Sequence, residues 1–296
     1  MKNPWIAAFR LRTLPLASAS IVMGGALAAA VDAHRWPVTV LALLTAILLQ
    51  ILSNLANDYG DFQNGADLAG RSGPDRMVAS GQISAAAMKT AMGVCGFLAL
   101  ASGVGLLWVA FGDFSVAFVG MLLLGLLAIG AAVKYTAGKN PYGYAGLGDV
   151  SVLLFFGLVG VMGSFYLHTG AWWWNVLLPA MGLGLLSTAV LNLNNLRDRE
   201  SDTRAGKRSI PVRIGAVWGV RYHNMLVLLG SLLMLWFARG EWSHLHLPWL
   251  ICCLPLWFSL YRINQVKAAQ GYDRFLKITA LNTLLFAVVA ALMNLI

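Results

Sequence analysis

The chain has 296 residues, of which 59% are hydrophobic and only 11% charged, with a formal net charge of +9. This balance excludes an ordinary soluble domain, because apolar runs of about 20 residues belong in a bilayer. It gives no reason to invoke nucleic acid, since a basic excess in such a chain is what the positive-inside bias of membrane proteins produces.

Arg10 and Arg12 lead into the first apolar run, roughly residues 14–31. That run ends in Ala28-Ala29-Ala30, as a cleaved signal would. At about 18 residues, however, it is long for a signal-peptide core, and more runs follow, so it reads as an uncleaved helix. Runs at roughly 37–56, 85–111, 114–133, 149–168, 173–195, 216–238, 247–264 and 276–295 complete nine predicted spans. Gly112-Asp113 is the polar break between the third and the fourth. With the N-terminus in the cytoplasm, 19 Lys and Arg fall inside and two, Arg35 and Arg239, outside. A wrong span count would scramble that asymmetry. Trp172-Trp173-Trp174 suits an aromatic belt, and Cys95, Cys252 and Cys253 lie within spans at no metal or disulfide spacing. The expected fold is therefore all-α: a polytopic integral membrane protein with nine transmembrane helices in a single bundle. It forms one domain over residues 1–296, with the C-terminus outside and membrane lipid around it.

Against this apolar background seven of the 12 acids fall in two short stretches: Asp58, Asp61, Asp67, Asp75, Asp198, Glu200 and Asp202. Each carboxylate at a helix centre costs roughly 2.5–3.5 kcal/mol on insertion scales, so such clustering calls for a chemical reason. Both stretches belong to cytoplasmic motif loops, about 54–84 and 192–215. Both continue from an acid cluster to Ala-Gly, a basic residue and Ser-x-Pro-x-Arg (Ala69 to Arg76; Ala205 to Arg213), which reads as an internal repeat of two halves.

If the helices continue into the motifs, Asn54, Asn57, Asp58 and Asp61 share one face at i, i+3, i+4 and i+7. Asn195, Asp198 and Asp202 do the same in the second half, with Asn192 one turn earlier. Oxygen donors without His or Cys suit Mg²⁺, which keeps waters and favours substrate phosphates. Arg71, Arg76, Lys207, Arg208 and Arg213 surround these donors and suit a diphosphate. A solvated, salt-bridged loop is the plain alternative. It is disfavoured because the polar stripes reach back into the apolar helices and because they occur twice. A diphosphate above an apolar bundle points to a lipid diphosphate. A cation transporter is the distant rival; its acids are expected near the midplane, away from Arg and Lys. A CDP-alcohol phosphotransferase would need an Asp-Gly-x-x-Ala-Arg motif, which is absent from the sequence.

Asn57-Asp58-x-x-Asp61 with Asp198-x-x-x-Asp202 resembles the paired aspartate motifs of the UbiA-type intramembrane prenyltransferases. The likeness covers essentially the whole chain. Arg12-Thr-Leu-Pro15, Asn54 through Asp67, Arg71-Ser-Gly-Pro74, Pro141-Tyr-Gly-Tyr144 through Asp149, and Asn192 through Arg208 are similar to the branch acting on 1,4-dihydroxy-2-naphthoate. Many members carry a third acid four residues after the second; here Gly65 stands there and the acid comes at Asp67. The naphthoate branch shares that departure.

The resemblance implies Mg²⁺-dependent transfer of a polyprenyl group from a polyprenyl diphosphate to 1,4-dihydroxy-2-naphthoate, with loss of CO₂, giving demethylmenaquinone for menaquinone biosynthesis. It implies two Mg²⁺ ions on Asp58, Asp61, Asp198 and Asp202, assisted by Asn54, Asn57 and Asn195, with Asp67 in a supporting position. Arg71, Arg76, Lys207 and Arg208 would hold phosphate oxygens. Tyr135, Lys139 and Asp149 would serve the acceptor pocket or its closure, with Arg12 beside the acceptor carboxylate. The ring face of Tyr135 is also placed to steady an allylic cation. Plain interfacial anchoring is the alternative for Arg12, Lys134, Lys139 and Tyr135. Another aromatic acceptor, such as homogentisate, is the near rival. A bacterial plasma (inner) membrane is the expected location.

Overall fold

Helix boundaries follow the punctuation of the sequence. Ser84 and Ser115 accept from the backbone N–H of Ala87 and Phe118, while Pro4, Pro15, Pro37 and Pro211 open helices where no N–H is needed. Gly112, at φ 75°, ends the third span at the expected break.

The computed structural model describes residues 3–65, 76–240 and 242–295. The helices are α1 (Pro4–Phe9), α2 (Leu14–Ala29), α3 (Trp36–Gln63), α4 (Ala85–Phe111), α5 (Val116–Lys134), α6 (Gly148–Val152), α7 (Ser164–Thr169), α8 (Leu177–Arg197), α9 (Arg199–Arg204), α10 (Ile210–Phe237), α11 (His246–Ile263) and α12 (Tyr272–Leu295). A π-wound stretch, Leu153–Gly163, joins α6 to α7 in one span. Among the described residues there is no strand, and nine helices are long and apolar enough to cross a membrane. Each matches a predicted span.

The seventh and ninth spans begin about six or seven residues before the expected positions, at Ile210 and Ala269, and two further differences bear on the site. The first span begins at Pro4, because α1 precedes α2 across an elbow at Arg10. The second runs to Gln63 rather than stopping near residue 56, so Asn54 through Asp61 lie on the helix itself. Neither Gly nor Pro interrupts α3 before Gly60, and its polar side chains find partners. The helix therefore carries through the motif. Asp67, Arg71 and most of the first Ala-Gly repeat lie outside the described residues.

The main core gathers α2, the π stretch, α8, α10, α11 and α12 around fully buried Trp249, Phe286, Leu183 and Met234. A second cluster packs α3 and α4 through Leu52, Leu55 and Met88. By contrast, α5 lies against the rest by one face and buries only Phe118. The π stretch draws close to α2, where Ser20 Oγ donates to the carbonyl of Phe156 at 2.6 Å. Such winding occurs mostly in short pieces and often borders a functional site; here it forms one wall of the central cavity.

Gly60 is where α3 meets the segment after α5. A Cβ there would lie 2.5 Å from the backbone carbonyl of Thr136. Gly60→Ala forces the two apart, and overpacking of this kind costs about 1–3 kcal/mol. The expected result is a lower melting temperature in detergent by intrinsic tryptophan fluorescence. An unchanged melting temperature would show that this junction is loose.

Candidate active site

One cavity of about 440 Å³ occupies the middle of the molecule. Its lining runs along α3 from Asp61 to Ala42, a rise of about 28 Å at 1.5 Å per residue, close to the thickness of a bilayer core. The inner part is apolar, with Leu100, Val104, Leu107, Leu124 and Val159. The charged residues cluster at the motif end, while hydroxyls such as Thr45 and Ser164 line the inner part. Among the described lining residues five are cations (Arg10, Arg12, Arg76, Arg197, Lys207) and three are acids (Asp61, Asp198, Asp202). An apolar shaft with an electropositive mouth suits an amphiphile with an anionic head.

The helical ladder on α3 divides into different tasks. Asn54, 2% exposed, donates to the carbonyl of Phe9 and to Thr13 Oγ1, both at 2.9 Å, and accepts from Gln50 at 3.2 Å. It thereby fixes the α1–α2 elbow that carries Arg10 and Arg12 to the cavity wall. Asn57 lines the cavity and accepts from Thr136 Oγ1 at 2.9 Å. Asp61, buried, accepts from Arg76, from Lys207 Nζ at 2.9 Å and from Tyr144 Oη at 3.0 Å. Asp58 is placed elsewhere. Its two oxygens accept from the backbone N–H of Met77 and Val78 at 3.0 and 2.9 Å, and it is not part of the cavity lining. In this structure it ties the far end of the motif loop to α3.

The second motif bends at Asp198, which caps α8 and opens α9, with φ −92° and ψ 7°. An i to i+4 bond from Asp202 N to the carbonyl of Asp198, 2.8 Å, keeps both acids on nearly one face, as the spacing predicted. Arg197 grips Asp198 with two parallel bonds of 2.8 and 3.0 Å and reaches Asp273 at the start of α12 at 2.7 Å. Asn195 lines the cavity; Asn192 does not, and instead donates to the carbonyl of Gly219 on α10 at 2.9 Å. Lys207 Nζ also approaches Asp202 at 3.5 Å.

The segment from Lys134 to Leu147 closes over the mouth. Tyr144 bonds Asp61 through its hydroxyl, accepts from the backbone N–H of Arg208 at 2.9 Å, and sets its ring 4.9 Å from Lys207 Nζ. Tyr135 lines the cavity with its ring edge-on to Tyr142, 5.3 Å between centroids. Burial first, then the negative charges of Asp149, Asp202 and Asp61, push the Tyr135 phenol well above its ordinary range, so it stays protonated. Asp149 accepts from Tyr222 Oη at 3.1 Å and lines a small adjoining pocket with Asn195, Asp202, Lys207 and Ser209. Lys139 and Arg208 are exposed and lie outside the lining of the main cavity.

The residues present fit a magnesium site. The donors are hard oxygens, and the buried Ser209 Oγ has no hydrogen-bond partner among the described residues. Among those residues no three His, Cys, Asp or Glu side chains gather closely enough to hold a metal by themselves. Mg²⁺ takes one or two carboxylates and completes its shell with water and phosphate. Arg197, Tyr144 and Asp273 were not singled out from the sequence as site residues. Arg197 was visible only as one more inside cation, and Tyr144 only as part of the Pro141–Asp149 stretch.

Fold and site together define an intramembrane enzyme with an acid-and-base mouth over an apolar shaft, and the comparisons place it. Residues 18–291 match the UbiA prenyltransferase family, and the chain belongs to that family. It is 45% identical to the 1,4-dihydroxy-2-naphthoate octaprenyltransferase of Escherichia coli K12, over 95% of this chain and 93% of that protein. It is 49% identical to the enzyme of the same name from Haemophilus influenzae, over 79% and 76%. Its fold is similar to that of a UbiA homologue from Archaeoglobus fulgidus (TM-score 0.68, 15% identity, 99% and 100% covered) and to the form bound to DMAPP and Mg²⁺ (TM-score 0.63, 16% identity, 98% and 99% covered).

The position of Asp58 generates a test. In Asp58→Asn an amide N–H replaces one acceptor opposite a backbone N–H, leaving a buried clash of donors that costs about 1–3 kcal/mol. The metal-free protein should then melt at a lower temperature, with faster amide hydrogen exchange at Met77 and Val78. A variant as stable as wild type that had lost only metal-dependent stabilisation would return Asp58 to the ligand set.

Proposed function

We propose that this chain, as a single domain, transfers a polyprenyl group from its diphosphate to 1,4-dihydroxy-2-naphthoate. The carrying observation is the meeting of Asp61, Asp198 and Asp202 with Lys207, Arg76 and Arg197 at the mouth of an apolar, bilayer-deep cavity. The names of its relatives at 45–49% identity support the acceptor.

Asp61 and the pair Asp198 and Asp202 would hold two Mg²⁺ ions, with Asn57 and Asn195 adding amide oxygens. When bound, the metal neutralises charge on the departing diphosphate. Arg76, Arg197 and Lys207 bind phosphate oxygens, and the shaft takes the prenyl tail and keeps water from the allylic carbon. There the C–O bond breaks and its electron pair leaves with the diphosphate. The ring faces of Tyr135 and Tyr142 border the developing cation. Arg10 and Arg12 orient the acceptor through its carboxylate. The ring carbon bearing that carboxylate forms the new C–C bond. The C–CO₂ electron pair returns to the ring as CO₂ departs, restoring aromaticity. Asp149 and Tyr222 position the wall behind Tyr135; Arg208 and Lys139 lie on the outer rim.

Membranes containing the protein, given Mg²⁺, farnesyl diphosphate and 1,4-dihydroxy-2-naphthoate, should yield a prenylated 1,4-dihydroxynaphthalene lacking the carboxyl group, read by mass spectrometry as the quinol or as the quinone that air oxidation makes of it, and none with EDTA. Asp61→Ala, Asp198→Ala and Asp202→Ala each remove several kcal/mol of charge stabilisation, so kcat/KM should fall about 100-fold or more. Product with homogentisate alone would keep the chemistry and change the acceptor; no product with any acceptor from folded protein would reject the proposal.

The charge asymmetry supports a bacterial inner-membrane protein with a cytoplasmic N-terminus and an external C-terminus. An introduced cysteine at Asp113 should react with an impermeant maleimide on intact cells, and one at Arg204 only after lysis. The reverse pattern would invert the topology.

A further inference from the structure

Lys207 occupies an unusual place. Its ammonium lies 2.9 Å from Asp61 Oδ1 and 3.5 Å from Asp202 Oδ1, linking an acid of the first motif to an acid of the second. The side chain is held there: its own N–H donates to the carbonyl of Asp202 at 2.9 Å, and the Tyr144 ring lies 4.9 Å from Nζ. Tyr144 in turn donates to the same Asp61 oxygen at 3.0 Å. We infer that the Lys207 ammonium holds the place of a divalent cation between the two motifs, so that metal enters with the diphosphate rather than before it. This rests on the metal–diphosphate reading given above.

The argument is electrostatic and geometric. Two carboxylates buried at the end of membrane helices repel each other unless a positive charge stands between them. Lys207 supplies it and holds both acids aimed at one point. A metal arriving alone must displace a bound ammonium and leave it close to a doubly charged ion, which is unfavourable in a low-dielectric mouth. A metal arriving with diphosphate brings anionic oxygens onto which Lys207 can swing, so one side chain serves first as counter-ion and then as phosphate ligand. Lys207 is thus a positioning residue before substrate binds and sets the order of binding.

The test measures metal binding without turnover. Full-length protein in nanodiscs is titrated with Mn²⁺ alone, free ion being counted by electron paramagnetic resonance. Lys207→Met, with Lys207→Gln as a second neutral variant, should bind Mn²⁺ about tenfold more tightly than wild type, because a competing charge within a few ångströms is gone. Lys207→Arg should stay as weak as wild type. Tyr144→Phe, which loosens the same contact without removing charge, should not gain affinity. In parallel, ³²P-labelled inorganic diphosphate is dialysed against wild type with and without Mg²⁺, with Mg²⁺-dependent binding expected. Neutral variants that bind Mn²⁺ no better than wild type, beside Mg²⁺-dependent diphosphate binding, would overturn the placeholder role and leave the function standing. Wild type that binds diphosphate in neither condition would overturn the metal–diphosphate reading and this inference with it.

Discussion

A carboxylate at the end of a membrane helix, out of reach of bulk water, must be given a partner, and much of this molecule is arranged around that requirement at Asp61. At 1% exposure it draws a guanidinium from the end of the motif loop, an ammonium from the segment after the second motif and a phenol from the strap after α5. Three stretches of chain distant in sequence converge on one side chain. Breaking a buried pair of this sort by removing one partner costs about 3–5 kcal/mol, because the remaining charge is left uncompensated. Satisfying Asp61 therefore also ties the end of α3 to the segment after the second motif at a common mouth.

The same constraint explains why the α3 ladder separates into scaffold and site. Asn54, Asn57, Asp58 and Asp61 do lie along one side of one helix, as the spacing indicated. Side chains three and four residues apart still differ in direction by tens of degrees, which decides what each can reach. Asn54 reaches the elbow before α2, Asp58 reaches the backbone of Met77 and Val78, and Asn57 and Asp61 reach the cavity. The motif thus fixes the elbow, anchors the loop and brings two polar side chains to the cavity from positions on one side of one helix. A residue can be required by a motif without touching substrate.

The spans were legible because hydropathy and the placement of Lys and Arg act over 20 residues at a time, and small errors average out. Composition also exposed the two acid clusters, since acids are rare elsewhere in the chain. Pairing was not legible. Arg197 reads as an inside cation, yet it is 4% exposed and locked between Asp198 and Asp273, 76 residues away. Tyr144 reads as one tyrosine in a Gly-rich turn, yet its hydroxyl meets Asp61 across 83 residues. Such contacts depend on how helices are turned about their axes, which periodicity constrains only loosely. Exposed Arg208 and Lys139 illustrate the converse: basic residues beside a motif are placed by sequence near the mouth, while their side chains point to its rim.

The arrangement of charge also separates this chemistry from ion transport. A site built to pass a bare cation gains nothing from five cationic side chains around three acids. Those charges raise the energy of any lone metal ion that enters. They lower the energy of a diphosphate, and of a metal that arrives already bound to one. Below the mouth the described lining is mostly apolar and carries no charged side chain, its polar groups there being hydroxyls such as Ser20, Thr45 and Ser164. A polar head held at the charged mouth and an apolar tail accommodated beneath it satisfy both parts of the cavity at once.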